Sequence, residues 1–523
     1  MAHAKKIKSE YKYDEHGRVI LGSAKEMADW VKLGFEEQNK KRSPVIPFWK
    51  NYIDLSNCIL YVSYPVDSKE PVSKIFNLCD IAGVVPGIEK IEGDPNYLFE
   101  VTKDIHLDGS ELYGNFFHYV KFNGVVRMDD VTVRSNFSCF KCLFQDGVYM
   151  QHIHITGRSD YEQCVFRKGL VLTGGRADLF HFSNCTIDER LWLSSVNLEN
   201  HHHEGYHQSI ELANCSVDNL NLSSVNTNGL PIYLGDSKIN GMHIDKVTLE
   251  SSLCFNTCSL DGIITMVKEE NGHRNIIKEV VFHSCEVKGQ YHIENSDIEK
   301  FTFNFSNVGE SGRMRLSQCK MGQFIAGCSS VFGQMDVTED EISEVCLEGT
   351  CIQGYLNYQS NTVKEYTDRQ TLCLLKNEAR KVNDDVAATL LYAKEMRLLL
   401  SDKSVSRSDK ASLWLSRLFS GFGENWVQAF LVTFGSSVVL TLAMLGIGSS
   451  KYGFDLTGEF IGIKSFISTL LDSINVFSIP LFKDTIEEYG LNVWGQILYF
   501  VIKLVVAYGT YQFVVAFRKY GRR

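Results

Sequence analysis

The hydrophobic positions in the middle of the chain return in six-residue units: FSNCTI at 182–187, LANCSV at 212–217, LGDSKI at 234–239, FNTCSL at 255–260 and FHSCEV at 282–287. Each unit runs apolar, any, polar, Cys or Ser, any, apolar, and YEQCVF at 161–166 is an earlier member. Cys164, Cys185, Cys215, Ser237, Cys258 and Cys285 are separated by 21, 30, 22, 21 and 27 positions, a base period of 21 with two longer gaps. The longer gaps hold HHHEGYH (201–207) and KEENGHR (268–274), polar stretches that suit loops between stacked repeats. A half-period shows where Ser296 and Ser306 follow Cys285 at spacings of 11 and 10. Strands this short predict a right-handed parallel β-solenoid of about four short faces per coil. The small residue and the apolar residue two later then both point inward, and coils stacked ~4.8 Å apart line up like side chains. On this reading the cysteine ladder is a packing feature rather than a chemical one.

The same pattern extends outward. NYIDLSNCILYV (51–62) and FNLCDIAGVV (76–85) read as early coils; LSQCKM (316–321), AGCSSV (326–331) and EGTCIQ (348–353) read as late ones. Residues 23–42 predict a helix that caps the first coil, since terminal repeats need a polar outer face. The expected organisation is an N-terminal capping segment (1–50), a solenoid (51–365), a helical hairpin connector (366–402) and a membrane domain (403–523).

In the last fifth the period changes again. WVQAFLVTFGSSVVLTLAMLGIG (426–448) and LNVWGQILYFVIKLVVAYGTYQFVVAF (491–517) are each long enough, at ~1.5 Å per residue, to cross ~30 Å of hydrocarbon. Lys410 and Arg417 precede the first, while Arg518, Lys519, Arg522 and Arg523 follow the second, which predicts a transmembrane hairpin with both flanks cytoplasmic. Trp426 and Trp494 stand at span ends, where indoles favour the interface. LWLSRLFSGF, just before the first span, suits an amphipathic anchor lying on the inner surface. Between the spans, FIGIKSFISTLLDSINVFSIPLF (460–482) is interrupted by Lys464, Asp472, Asn475 and Pro480. It reads as a re-entrant segment, with an amphipathic helix on the outer leaflet as the alternative.

On the second span Gln496, Lys503 and Thr510 are spaced by sevens, and Tyr499 shares their face. A polar stripe on an apolar helix normally faces a bundle interior or water. Two spans cannot surround a pore, but several copies can, so these four residues are pore-lining candidates in a homo-oligomer. The competing reading is a structural ion pair between Lys503 and Asp472.

The connector TLCLLKNEARKVNDDVAATLLYAKEMR is rich in helix formers, with Thr367 and Gln370 spaced as a capping box and Asp384 or Asp385 placed to cap a second helix. The degenerate small-x-apolar units resemble pentapeptide repeats. The connector resembles that of bacterial pentapeptide-repeat proteins with a C-terminal two-helix, ion-channel-like domain, through Leu375, Lys376, Ala379, Tyr392, Ala393, Glu395 and Met396. The resemblance implies a channel-like topology in a bacterial inner membrane, gated by a signal or protein partner at a cytoplasmic solenoid. A stress or anti-phage membrane-depolarising effector fits that architecture; a membrane-tethered scaffold that binds protein partners without conducting is the alternative. The inter-span loop SINVFSIPLF does not read as a potassium filter.

Charge and cysteine content refine this picture. Residues 403–523 hold 12 Lys and Arg against 8 Asp and Glu, while the first 402 carry a net of −14. That acidic majority argues against direct nucleic-acid binding, which needs cations facing phosphates. Fifteen cysteines, all between Cys58 and Cys373, with no apolar stretch after the basic start, suit reduced cytosolic thiols. His201, His202, His203 and His207 suggest a metal site, but a solvated loop is the stronger reading. CFKC at 139–142 is a single pair and reads as core or ladder cysteines. No nucleophile elbow, P-loop, dinucleotide fingerprint or HExxH is present, so neither an enzyme nor a cofactor is expected.

Overall fold

The computed structural model describes residues 11–21, 24–41, 52–61, 83–199 apart from 92, 95 and 114–116, 208–266, 275–449, 463–475 and 490–518. The early unit FNLCDIAGVV falls almost wholly outside these residues, as do the histidine cluster and Pro480. The chain divides into two compact units, 1–365 and 366–523.

The first unit is a β-solenoid. One column alone stacks twelve strands, from Phe117–His118 to Thr362–Tyr366, and the pairings from Phe117–His118 through Glu341–Cys346 are parallel. Lys12–Tyr13 with Val19–Leu21 and Ile88–Lys90 with Phe99–Val101 are antiparallel pairs. Strands of two to nine residues alternate buried and exposed side chains, as the period-two rule requires. The apolar residue of each unit lies inside: Phe166, Ile187, Val217, Ile239, Leu260 and Val287 are all at most 1% exposed. Where aromatics repeat, they stack from coil to coil. Phe122, Phe144 and Phe166 are 4.8 Å apart, ring over ring.

The cysteine column shows why this sequence repeats. The residue before each inward position adopts a left-handed backbone: Gln163, Asn184, Asn214, Asp236, Thr257, Ser284 and Phe305 all have φ near +50°. That kink turns the corner and points the next backbone N–H toward the interior, where it needs an acceptor. A short polar side chain on the neighbouring coil supplies one. Cys215 N–H donates to Ser237 Oγ (3.0 Å), Cys285 N–H to Ser306 Oγ (3.1 Å) and Ser306 N–H to Ser329 Oγ (3.2 Å). The Cys164, Cys185 and Cys215 thiols in turn donate to carbonyls of the preceding coil, at 3.2 to 3.4 Å. The ladder is therefore a hydrogen-bonding device as well as a packing one, which corrects the purely steric reading.

The late unit AGCSSV keeps the expected register, with Ser329 inward at its fourth position and Cys328 the exposed left-handed corner. EGTCIQ is displaced by one residue: Thr350 Oγ1 bonds the Ala326 carbonyl while Cys351 is exposed. Cys139 and Cys142 are both buried, Cys142 at the inward corner and Cys139 on a strand paired with Tyr161.

Helix α1 (Ala24–Lys41) buries Met27, Ala28, Val31 and Leu33. Its Gln38 side chain clips the Tyr52 backbone at both N–H and C=O, 3.0 Å each. The stack already begins before this helix, because Val19–Leu21 pairs in parallel with Cys58–Leu60.

The second unit is helical: α2 (Arg369–Lys381), α3 (Asp385–Ser401), α4 (Arg407–Ser420), α5 (Trp426–Gly448), α6 (Ile463–Ile474) and α7 (Val493–Arg518). The α2 cap is Asp368, not Thr367. Its carboxylate accepts from both Thr371 N–H (2.7 Å) and the Thr371 hydroxyl (2.6 Å), one through each oxygen. Asp384 caps α3 by accepting from Ala387 N–H. Helices α5 and α7 are long and apolar enough to cross a membrane, and only 22% and 28% of their apolar windows are buried within the chain. A core helix of a soluble domain would be mostly covered.

Candidate functional site in the helical hairpin

Helices α5 and α7 run antiparallel. Trp426 at the start of α5 packs edge-on to Phe513 and Phe517 at the end of α7, and Ser449 bridges Leu491 at the other end. Their seam sets three small residues among larger ones. Gly495, Tyr499, Ile502, Val506, Gly509, Gln512 and Ala516 form the buried face of α7. Gly509 lets the helices close, since a Cβ there would fall 2.0 Å from Thr433 Oγ1. The Thr433 hydroxyl is retained by its own helix, donating to the Ala429 carbonyl at 2.6 Å. Such close backbone approach is how helices gain dispersion energy where lipid supplies no hydrophobic drive.

The four residues of the expected polar stripe occupy four different environments. Tyr499 is buried in the seam against Met444, Leu445 and Ile502. Gln496 is half-buried and donates to the Leu491 carbonyl at 3.3 Å. Thr510 is exposed. Lys503 reaches sideways to α6, where its ammonium donates to the carbonyls of Asp472 (2.5 Å) and Asn475 (2.8 Å) and sits 5.2 Å from the Tyr499 ring centre. The last carbonyls of a helix lack partners within it and carry its negative dipole end, so a lysine there is both hydrogen-bonded and electrostatically favoured. The side chain thus fastens α6 to α7 through backbone oxygens. Lys464 lies in the first turn of α6, and Phe466 of the same helix packs on the Met444–Tyr499 cluster.

At the other end of the hairpin a second polar group appears that hydrophobic patterning does not single out. Gln512 is buried, accepts from Ser420 Oγ at 2.7 Å and donates to the Tyr508 hydroxyl at 2.9 Å. A heptad count from the small residues Gly495, Gly509 and Ala516, rather than from the polar ones, marks this face.

The connector motif converges on one carboxylate. Glu395 of α3 is 2% exposed and accepts from Lys376 (2.5 Å), Arg369 (3.0 Å) and the Cys373 thiol (3.0 Å), all on α2. Burial alone raises its pKa, but the hydrogen bonds and charge of Lys376 and Arg369 prevail and hold it below the ordinary value. Lys376 also lies 5.6 Å from the Tyr392 ring centre. Leu375 and Met396 are buried, Ala379 is half-buried, and Tyr392 is exposed. Glu395→Gln should destabilise the α2–α3 pair by about 3–5 kcal/mol, because it strands cations built around a carboxylate. Thermal melts of the detergent-purified chain check this, and the added change Lys376→Met should recover much of the loss. The stabilisation is present at neutral pH and is lost as pH falls through the depressed folded-state pKa.

No group of three or more His, Cys, Asp or Glu side chains among the described residues is placed to hold a metal ion. No family model matches the chain, and no curated protein or solved structure is significantly similar to it.

Proposed function

We propose that the chain is an oligomeric, channel-like protein of a bacterial inner membrane, whose cytoplasmic solenoid, wound right-handed like pentapeptide repeats, receives a signal or protein partner and gates ion flux. A stress or anti-phage depolarising role suits that design. The observation that carries the reading is Lys503. A charge at that depth costs about 3 kcal/mol or more unless protein or water receives it. Carbonyl oxygens of α6 meet its ammonium, which suits α6 as a re-entrant support rather than a simple linker. Gln496 and Thr510 lie one heptad to either side, outside the α5–α7 seam, where another copy completes the surroundings. A ring of such lysines favours anions over cations.

Liposome flux measures the proposal. Lys503→Met should lower anion flux at least about tenfold, matching the cost of altering one charged site per subunit. Absence of flux under every condition, with assembly intact, sinks the channel reading.

A membrane-tethered scaffold is the second reading. It is favoured by an open groove of about 430 Å³ on the solenoid, where Ile276 stands 52% exposed among Glu250, Lys278, Glu299 and Lys320. Under that reading residues 1–365, freed of the helical unit, retain partner binding and cellular activity. A channel loses all activity on the same truncation.

A further inference from the structure

Helix α4 precedes the first span and is held rigidly. Ser406 caps its start, accepting from Asp409 N–H, and Gly421 ends it in a left-handed turn with φ 59°. Gln428 of α5 reaches back to donate to the Arg417 and Leu418 carbonyls, at 3.1 and 2.9 Å. Ser420 is tied to Gln512 of α7, Phe419 packs edge-on to Tyr508 of α7 at 5.1 Å, and Leu413 packs against Met396 and Phe422. Three faces of contact fix its direction relative to the hairpin.

With the helix so fixed, one apolar stripe is left outside. Ala411, Trp414, Leu415 and Leu418 follow the i, i+3, i+4, i+7 spacing, and the three large ones are 55%, 43% and 40% exposed. Lys410 and Arg417, seven apart, run along one border of this stripe. Asp409, the acidic residue of the helix, lies toward the opposite side and is occupied by the Ser406 hydroxyl at 2.7 Å. The exposed apolar surface continues into Trp426, Val427 and Phe430 on the first turns of α5.

We infer that α4 is an in-plane interfacial helix whose Ala411–Trp414–Leu415–Leu418 stripe inserts into an anionic leaflet, with Lys410 and Arg417 on lipid headgroups. An apolar stripe bordered by cations, with its acid turned away, is the pattern that binds such a surface. Continuity with the span, and charge complementary to anionic lipid, select the bilayer over a second protein chain. The inference rests on the membrane reading of α5 and α7, and it adds a lipid dependence. Through Ser420 on Gln512 and Phe419 on Tyr508 the leaflet bears on α7, about one to three turns from Lys503.

The test uses the full chain in nanodiscs of phosphatidylcholine, with or without phosphatidylglycerol, carrying lipids brominated just below the carbonyl region. The difference in tryptophan emission between the native chain and Trp414→Phe isolates Trp414. Roughly half or more of that component should be quenched at the ~5–10 Å depth of an interfacial helix. Lys410→Glu and Arg417→Glu should each cut the preference for anionic discs about fivefold or more. If Trp414 escapes quenching while Trp426 and Trp494 are quenched, the interfacial helix is overturned and the spans stand. A blue-shifted, unquenched Trp414 shows a protein partner instead and likewise overturns it. If none of the three is quenched, the membrane reading itself fails.

Discussion

Gly509→Val should prevent the helical hairpin from closing. At this position even a Cβ lies 2.0 Å from Thr433 Oγ1, 2.5 Å from Cγ2 and 2.8 Å from the Thr433 Cβ. The last distance cannot be relieved by rotating the threonine, so the helices must separate. Separation strips contacts along the whole seam, including those of Val506 and Ile502, each at most 1% exposed. Overpacking in well-packed cores typically costs about 1–3 kcal/mol, and a clash with main-chain-proximal atoms lies at or above the top of that range. In detergent the variant should melt well below the parent and elute as heterogeneous species. Gly509→Ala combined with Thr433→Gly restores the lost space and should restore the melt. A parent-like melt for Gly509→Val would show that this close approach is not needed.

Asp340→Asn should stabilise the solenoid, and do so only above acidic pH. Asp340 occupies an inward corner and is 1% exposed. Its Oδ1 accepts from Cys319 N–H at 2.7 Å, whereas Oδ2 has no hydrogen-bond partner among the described residues. Burial outweighs the backbone hydrogen bonds and lifts the carboxyl pKa to about 7. The next coil shows what the corner prefers: Asn361 accepts from Asp340 N–H through Oδ1 (3.0 Å) and donates Nδ2–H to the Val337 carbonyl (2.7 Å). A protonated Asp340 can imitate that amide; an ionised one cannot. Because the folded-state pKa lies above the ordinary value near 3.8, the carboxyl costs nothing at low pH. Its cost grows as pH rises from about 4 to 7 and is constant above, reaching about 2–4 kcal/mol. Amide exchange over Lys320–Ile325 and Glu341–Cys346 should therefore slow markedly in Asp340→Asn at pH 8 and hardly change at pH 4. Local exchange is the suitable measure because repeat arrays open piecewise. An equal effect at both pH values would show that the carboxyl is not titrating there.

Much of the solenoid was legible because a coil imposes the same steric demand at every turn. Cys164, Cys185, Cys215, Ser237, Cys258 and Cys285 all take the inward corner that their spacing predicts. The register failed at Cys351, where two candidate small residues, Thr350 and Cys351, stand side by side. Residue type cannot say which of them takes the inward position and which follows it. The hydrogen-bonding role of the ladder was hidden because it depends on backbone N–H direction, a property of the left-handed corner rather than of any side chain. In the helical hairpin the two long apolar helices were plain from length and apolarity. Which face packs was not, because the eye follows polar residues and the seam follows small ones. The carbonyl partners of Lys503 were likewise invisible, since a helix end advertises no side chain.

The buried thiol column has a practical corollary for anyone handling the protein. Desolvation raises the pKa of Cys139, Cys142 and Cys164 and keeps them in the unreactive protonated form, while Cys328 and Cys351 stand in solvent on adjoining coils. A chain so rich in cysteine thus behaves toward maleimides almost as if it had been stripped of them along the described solenoid interior. Among the described cysteines, probes should attach first at those two outer positions, giving spectroscopic reporters on the late coils.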